Sequence, residues 1–265
     1  MKYLYLTLSS IVIAYLVGVI FVYFYQRNLL YHPLENNYQN DKIQFNFEET
    51  FIKVDDVELK SWIVHKDFKN LKTLVFFHGN AGDLSNRIYK LNELYKLDIN
   101  ILIISWRGFS GNKGSPTEKN LYSDAEASIK WLNEKGVKNN QIVLYGESLG
   151  TGVAVEIGKK NKYNSIILES PFTSIENSAK IYYPYLPVKF ILKDKYDSIS
   201  KIKMIEMPIL IMHGKKDDIV PFSMGKELFE KANNPKHFYF TQDDDHMMEF
   251  NDKLLESIKN FIEKY

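Results

Sequence analysis

The apolar and polar positions of this chain fall into three successive regimes. Tyr3 to Tyr25 contains 23 residues and no charge. As a helix such a run is about 35 Å long, enough for a hydrocarbon core of about 30 Å. Tyr3, Tyr5, Tyr23 and Tyr25 stand at its two ends, where aromatic belts form. Beyond a polar connector that contains Pro33 and several Asn, apolar and charged residues alternate. That pattern predicts strands over 43–54 and 57–64, joined at Asp55-Asp56 as an antiparallel hairpin at a sheet edge. From Thr73 the rhythm changes again. Short apolar runs at 73–77, 99–105, 141–145, 165–168, 207–212 and 236–241 predict buried strands. Between and after them, helices are expected at 84–96, 121–134, 223–231 and 250–263. In the second of these, Leu121, Ala125, Ile129 and Leu132 share one face.

Continuous apolar strands alternating with amphipathic helices imply an α/β fold, a mainly parallel doubly wound sheet with helices on both faces. Ligands bind such sheets at the carboxyl ends of the strands. Residues 170–203 interrupt the rhythm. Tyr182-Tyr183-Pro184-Tyr185-Leu186-Pro187 is aromatic and proline-rich, and 171–203 reads as a short cap over the site. The chain thus divides into an anchor at 1–27, a connector at 28–42 and one large domain at 43–265.

Composition narrows the picture. With 34 basic and 33 acidic residues, nothing in the charge balance calls for a nucleic-acid partner. The chain has no cysteine, which excludes disulfides, thiolate catalysis and a lipoprotein anchor. No small-x-small cleavage site ends the apolar run, so it reads as an uncleaved signal anchor rather than a signal peptide. Lys2 before it and Arg27 after it slightly favour an extracytoplasmic domain.

The central chemical signal is Gly146-Glu147-Ser148-Leu149-Gly150, set between a buried strand and a helix. In a G-x-S-x-G turn the serine sits at a sharp apex and its hydroxyl points away from the sheet. A serine hydroxyl needs a base within hydrogen-bond reach, and the base needs an orienting carboxylate. Of six histidines, His32 and His65 precede the parallel core. His78 and His213 open His-Gly loops and suit packing. His237 opens a strand. His246 lies after the last strand and before the closing helix, where a late base belongs. Asp217 and Asp218 both follow a strand within reach of it. Spacing from Gly214 favours Asp217, with Glu169 in reserve. The run Asp243–Asp245 reads as a solvated loop, with tuning of His246 or cation attraction as the alternative. The oxyanion of a tetrahedral intermediate needs two backbone N–H donors. Leu149 supplies one, and the loop after the first parallel strand supplies the other, from Asn80 or else Ala81. No Walker lysine follows that loop and no metal-ligand spacing is present, so neither nucleotide, metal nor other cofactor is expected.

These residues resemble a known family. His78-Gly-Asn-Ala-Gly82, Trp106-Arg-Gly-Phe-Ser-Gly111 with Gly114-Ser-Pro116, Gly146-Glu-Ser-Leu-Gly150, Glu169-Ser-Pro-Phe-Thr173, Pro208-Ile-Leu-Ile-Met-His-Gly214 and Asp217-Asp-Ile-Val-Pro221 look like the membrane-anchored α/β-hydrolase-domain proteins. That group includes protein depalmitoylases and lipid esterases. The anchor ending in Gln26-Arg27-Asn-Leu-Leu-Tyr-His-Pro33 is similar too. The resemblance implies the α/β-hydrolase fold, Ser148 as nucleophile, Asp217 as acid, His246 as base, and Asn80 and Leu149 as oxyanion donors. One departure stands out: Asp244-Asp245 precedes the histidine where the family usually has glycine.

The expectation is therefore a membrane-anchored serine hydrolase acting on ester or thioester bonds of acyl-chain or lipid-like substrates. A serine peptidase or amidase is the alternative within enzymes, although nothing resembles the large extra domain of prolyl oligopeptidase relatives. A binding protein that has lost catalysis is the alternative of another class.

Overall fold

In the computed structural model the described residues are 1–34 and 42–265, so the expected connector lies partly outside them. The first element is a single long helix, α1 (Lys2–Leu30), apolar and long enough to cross a membrane. It runs past the point where the connector was expected, because Gln26 and Arg27 are occupied rather than solvated. Gln26 Nε2 donates to the Ile191 carbonyl (2.9 Å), and Gln26 Oε1 accepts from Lys193 N–H (2.8 Å). Arg27 pairs with Asp194 at 2.8 Å. A short strand β1 (His32–Pro33) follows.

The hairpin is β2 (Glu48–Val54) and β3 (Val57–Val64), paired antiparallel with Val54 opposite Val57. The first strand is shorter than the alternation predicts. Phe45 and Phe47 pack by their rings instead of extending the ladder, Phe47 lying 4.6 Å from Trp62 between centroids. Next come β4 (Thr73–Phe77), β5 (Ala81–Gly82), a 3-10 turn at Leu84–Arg87, α2 (Ile88–Leu94) and β6 (Asn100–Ile104). Then follow α3 (Glu118–Glu134), β7 (Ile142–Glu147), α4 (Leu149–Lys160) and β8 (Ser165–Glu169). The cap holds α5 (Ile175–Tyr182), α6 (Val188–Ile191) and α7 (Ser198–Lys201). β9 (Ile209–Gly214), α8 (Phe222–Lys231), β10 (Lys236–Thr241) and α9 (Asp252–Lys264) complete the chain.

Eight strands form one sheet in the order β10-β9-β8-β7-β4-β6-β3-β2, parallel from β10 to β6 and antiparallel over the β3 and β2 edge. Every residue of β4, β6, β7, β8 and β9 is buried, as a sheet covered on both faces requires. One face carries α3, α4 and α8, with Leu121, Ala125, Ile129 and Leu132 of α3 in its core. The other carries α2 and α9. This is the α/β-hydrolase fold. Chain order reverses around β4, whose neighbours are β6 and β7. The crevice at the carboxyl ends of β4 and β7 is therefore the topological switch point.

β1 pairs in parallel with β5, His32 opposite Ala81 and Pro33 opposite Gly82. This second, two-stranded sheet has no counterpart in the hydrophobic pattern, since neither partner has a periodicity to read.

Candidate active site

Ser148 occupies the apex between β7 and α4 with φ 49° and ψ −115°, a left-handed conformation costly for a side chain with a Cβ. The crowding that enforces this bend is measurable at the flanking glycines. A Cβ on Gly150 would lie 1.9 Å from the Phe77 carbonyl oxygen, and one on Gly146 would lie 2.6 Å from Thr151 Cα. Neither position can carry a side chain while the helix starts against β4 and β7.

The structure brings Ser148, His246 and Asp217 into one hydrogen-bonded chain. Ser148 Oγ lies 2.8 Å from His246 Nε2, and His246 Nδ1 lies 2.8 Å from Asp217 Oδ2. Ser148 is partly exposed, while the Asp217 carboxylate is fully buried. Asp217 Oδ1 accepts from the N–H groups of Ile219 (2.9 Å) and Val220 (2.7 Å). Burial alone would push this carboxyl upward. Hydrogen bonds from His213, His246 and the Val220 amide outweigh burial and hold it well below the usual carboxylate range. Asp218 is exposed and takes no part. Glu169 is buried elsewhere, on Lys90 and Tyr145.

The acidic run before His246 does not touch the imidazole. Asp243 pairs with Lys216 at the surface, and Asp245 accepts from the Met247 amide. No group of residues suited to a metal ion occurs among the described residues. The glycine that this loop lacks has a counterpart across from it. A Cβ on Gly214 would meet the Asp244 carbonyl oxygen at 2.3 Å, so Gly214 makes room for the loop backbone. Ser170 Oγ then donates to the His246 carbonyl (2.9 Å) and fixes its height above the sheet.

Two side chains near the site were not read as part of it. His213 Nε2 lies 3.0 Å from both Asp217 Oδ2 and the Val220 carbonyl. Both neighbours are acceptors, so this nitrogen carries the proton. His213 is thus a buried second donor to Asp217. Its signal in the sequence was the i, i+4 spacing to Asp217, hidden because the pair spans a strand end and a turn.

Glu147 is the other. It precedes Ser148 and points beneath the elbow, where Arg87 (2.6 Å) and Lys90 (2.6 Å) pair with it. Lys90 also pairs with Glu169 at 2.7 Å, and Tyr145 donates to Glu169 at 2.5 Å. Burial opposes charge throughout this cluster. At Glu147 the two cations prevail and hold the carboxyl low. At Glu169 burial prevails and raises it. Lys90 is held charged by its two carboxylates despite full burial. The cluster reaches the candidate oxyanion loop, for Glu147 Oε1 also accepts from Gly79 N–H (3.2 Å), and Arg87 donates to the Ala81 carbonyl (2.7 Å).

That loop is held from its other side by the end of the anchor. Asn80 Nδ2 donates to the Leu30 carbonyl (2.6 Å), and the His32 amide donates to the Asn80 carbonyl (2.8 Å). The amides of Asn80 and of Leu149, first residue of α4, donate to no other group among the described residues. His78 packs under the loop between Trp106 and Phe109, and burial, with Arg87 nearby, pushes its imidazole down to about 3. His237 lies apart, against Tyr265.

The cap closes against this side of the fold. Tyr182 of α5 donates to the carbonyls of Asp218 and Ile219 in the acid loop (2.8 and 2.9 Å).

Comparison with known proteins gives concordant results. The prolyl oligopeptidase family profile matches residues 109–265, and that of the Chlamydia CHLPS protein family (DUF818) matches residues 48–166. The chain is 32% identical to protein bem46 of Schizosaccharomyces pombe over 224 residues, covering 78% of this chain and 74% of that protein. It is also 32% identical to human alpha/beta hydrolase domain-containing protein 17B over 197 residues, covering 72% and 66%. Among solved structures, the esterase Pf2001 of Pyrococcus furiosus superposes with a TM-score of 0.73 at 19% identity, covering 89% of this chain and 97% of the esterase. At that identity the superposition speaks for the fold.

Proposed function

The chain belongs to the α/β-hydrolase-domain family, and on that premise we propose that it is a membrane-anchored serine hydrolase of ester or thioester bonds. The observation that carries this reading is the continuous 2.8 Å and 2.8 Å chain from Ser148 through His246 to Asp217, on an elbow of positive φ. His246 Nε2 takes the hydroxyl proton as Ser148 Oγ bonds to the acyl carbon. The carbonyl electron pair moves onto oxygen, where the Leu149 and Asn80 amides receive it. Collapse breaks the bond to the leaving alkoxide or thiolate, which leaves with the proton from His246. Water then attacks the acyl-enzyme with His246 again as base, and the acid product departs. Asp217 keeps the imidazole in the tautomer that presents Nε2 to Ser148.

Membrane attachment through α1 and an acyl-chain substrate belong to the same reading. Their support is the apolar helix and its hydrogen-bonded seat on the cap, which would bring the site to a lipid surface. A second reading, amide or peptide cleavage by the same residues, is favoured by the prolyl oligopeptidase profile. Acyl peptides and matched esters offered side by side separate the two.

The first test is fluorophosphonate labelling of the detergent-solubilised full chain beside Ser148→Ala, with the labelled peptide identified by mass spectrometry. Adduct confined to Ser148, together with ester turnover that Ser148→Ala lacks, is the expected result. A folded wild type that neither labels nor turns over any ester would instead favour the binding-protein reading.

A further inference from the structure

α1 does not stand clear of the domain. Val19, Val22, Gln26 and Leu30 recur at three- and four-residue spacing and are its only residues withdrawn from the surface. This stripe faces the cap. Higher up, Tyr15 in the middle of the apolar run donates to the Tyr185 carbonyl (2.8 Å). Tyr15 lies ten residues before Tyr25, or about 15 Å along a helix axis. With α1 across a bilayer, the cap tip therefore sits well inside the hydrocarbon. Its surface suits that depth, for Tyr183, Tyr185 and Phe190 are exposed, Phe190 by 83%.

Between α1 and the cap lies a cavity of about 390 Å³, bounded by Gly18, Val19 and Val22 on one wall and Ala179, Leu186 and Ile191 on the other. The polar groups at its rim are satisfied within the protein. Gln26 bonds to Ile191 and Lys193, and Arg27 to Asp194. What the cavity offers is apolar surface.

We propose that this cleft is an acyl-chain site, which takes long-chain hydrocarbon directly from the bilayer and leads its carbonyl end toward Ser148. Dimensions select the occupant. The lining runs along α1 from Tyr15 to Leu30, about 22 Å. Counted with its open side, the cleft holds about 1180 Å³ of empty space, too little for a helix along that length and ample for flexible hydrocarbon. A partner helix about 10 Å across would need roughly 1,700 Å³ over the same length. The direction comes from the inner end. Leu30, the last lining residue of α1, accepts the Asn80 side chain through its carbonyl. The neighbouring Gly79 backs onto Ser148, a Cβ there lying 3.5 Å from Ser148 Cβ.

The fate of the chain's carbonyl rests on the serine-hydrolase reading; binding of the chain does not. Gly18 gives a direct test, because a Cβ there meets nothing within 4 Å. Gly18→Phe fills the cleft and leaves a better helix former in α1. Ala179→Phe fills it from the cap side. With full-length protein in nanodiscs, the ratio of kcat/KM for p-nitrophenyl dodecanoate to that for p-nitrophenyl acetate should fall tenfold or more in both variants. An unchanged ratio in both overturns the proposal. The second arm needs no turnover. A diazirine-tagged long-chain fatty acid, photolysed with Ser148→Ala protein, should label Val19, Val22 and Ala179, and Gly18→Phe should erase that labelling. Adducts spread evenly around α1 would mean bulk lipid only, and a crosslinked second protein chain would mean a helix seat; either overturns it. Should the wild type show neither labelling by fluorophosphonate nor ester turnover, the hydrolase reading falls while the adduct map still decides the cleft.

Discussion

Two polar clusters lie on either side of the elbow, and they begin at consecutive residues. Ser148 looks outward to His246 and Asp217. Glu147 looks inward to Arg87, Lys90 and, through Lys90, Glu169. The inward cluster pairs two cations with two carboxylates and has no opening to water. The outward chain carries one buried negative charge, two imidazoles and a hydroxyl at the solvent edge. A buried network with matched charge holds a backbone in place, whereas a proton-transfer chain needs a group that can still gain a proton. The sharp turn from β7 to α4 sends these two consecutive side chains to opposite sides.

Substitutions on the two sides should therefore fail differently. Ser148→Ala and Asp217→Asn should each lower kcat on an activated ester by about 10⁴-fold. Ser148→Ala should leave the melting temperature close to that of the wild type, since it removes only a hydroxyl, whereas Asp217→Asn sets an amide NH₂ against N–H donors and should lower it too. Glu147→Ala should act first on stability, and on activity only through the Gly79 loop that it holds. It strands Arg87 and Lys90 without a shared carboxylate in the interior, at about 3–5 kcal/mol. Denaturant unfolding of the solubilised protein reads that loss. A Glu147→Ala protein as stable as the wild type would remove the structural role assigned to the inward cluster.

A smaller effect follows from His78, which packs under the same loop. Its imidazole is pushed by burial down to about 3, against about 6.5 in an unfolded chain. Between those values the unfolded state binds a proton that the folded state does not. Stability is then full above about pH 6.5 and falls as pH drops toward 3, by up to about 1.4 kcal/mol per pH unit. His78→Gln, which does not titrate, should flatten that slope in unfolding curves taken from pH 6.5 to 4.5. An equal slope in both proteins would place the acid sensitivity elsewhere.

The parts of this molecule legible in its sequence were those with a period or a fixed spacing. Strands buried on both faces read as continuous apolar runs, and the G-x-S-x-G turn announced its own geometry. The loops that carry Asp217 and His246 followed from the order of a doubly wound sheet, while Asp217 was preferred to Asp218 only by its spacing from Gly214 and by resemblance. What escaped was contact without periodicity. Gln26 and Arg27 look like the solvated polar end of an anchor until the cap is in place to receive them. β1 and β5 are two residues each, too short for any alternation. Lys90, within the helix expected at 84–96, is fully buried, and nothing in the local pattern marks it. Its partners Glu147 and Glu169 lie 57 and 79 residues away, a separation that local pattern cannot bridge.

His213 divides the two clusters most finely, because it is buried like the inward residues yet bonded to the outward acid. Its Nε2–H is shared between Asp217 Oδ2 and the Val220 carbonyl, and Gly225 leaves the space its ring occupies, a Cβ there meeting Nδ1 at 2.3 Å. Asp217 keeps three other donors, His246 and the amides of Ile219 and Val220, so losing His213 should not release it. It would instead leave His246 as the one side-chain donor to Oδ2, so the carboxylate is set less firmly against the imidazole it orients. His213→Leu should therefore lower kcat by only about tenfold, roughly 1.4 kcal/mol. His213→Gln, which can place an amide N–H near Nε2, should restore most of that loss. A packing role alone would change stability in both variants and leave kcat where it was.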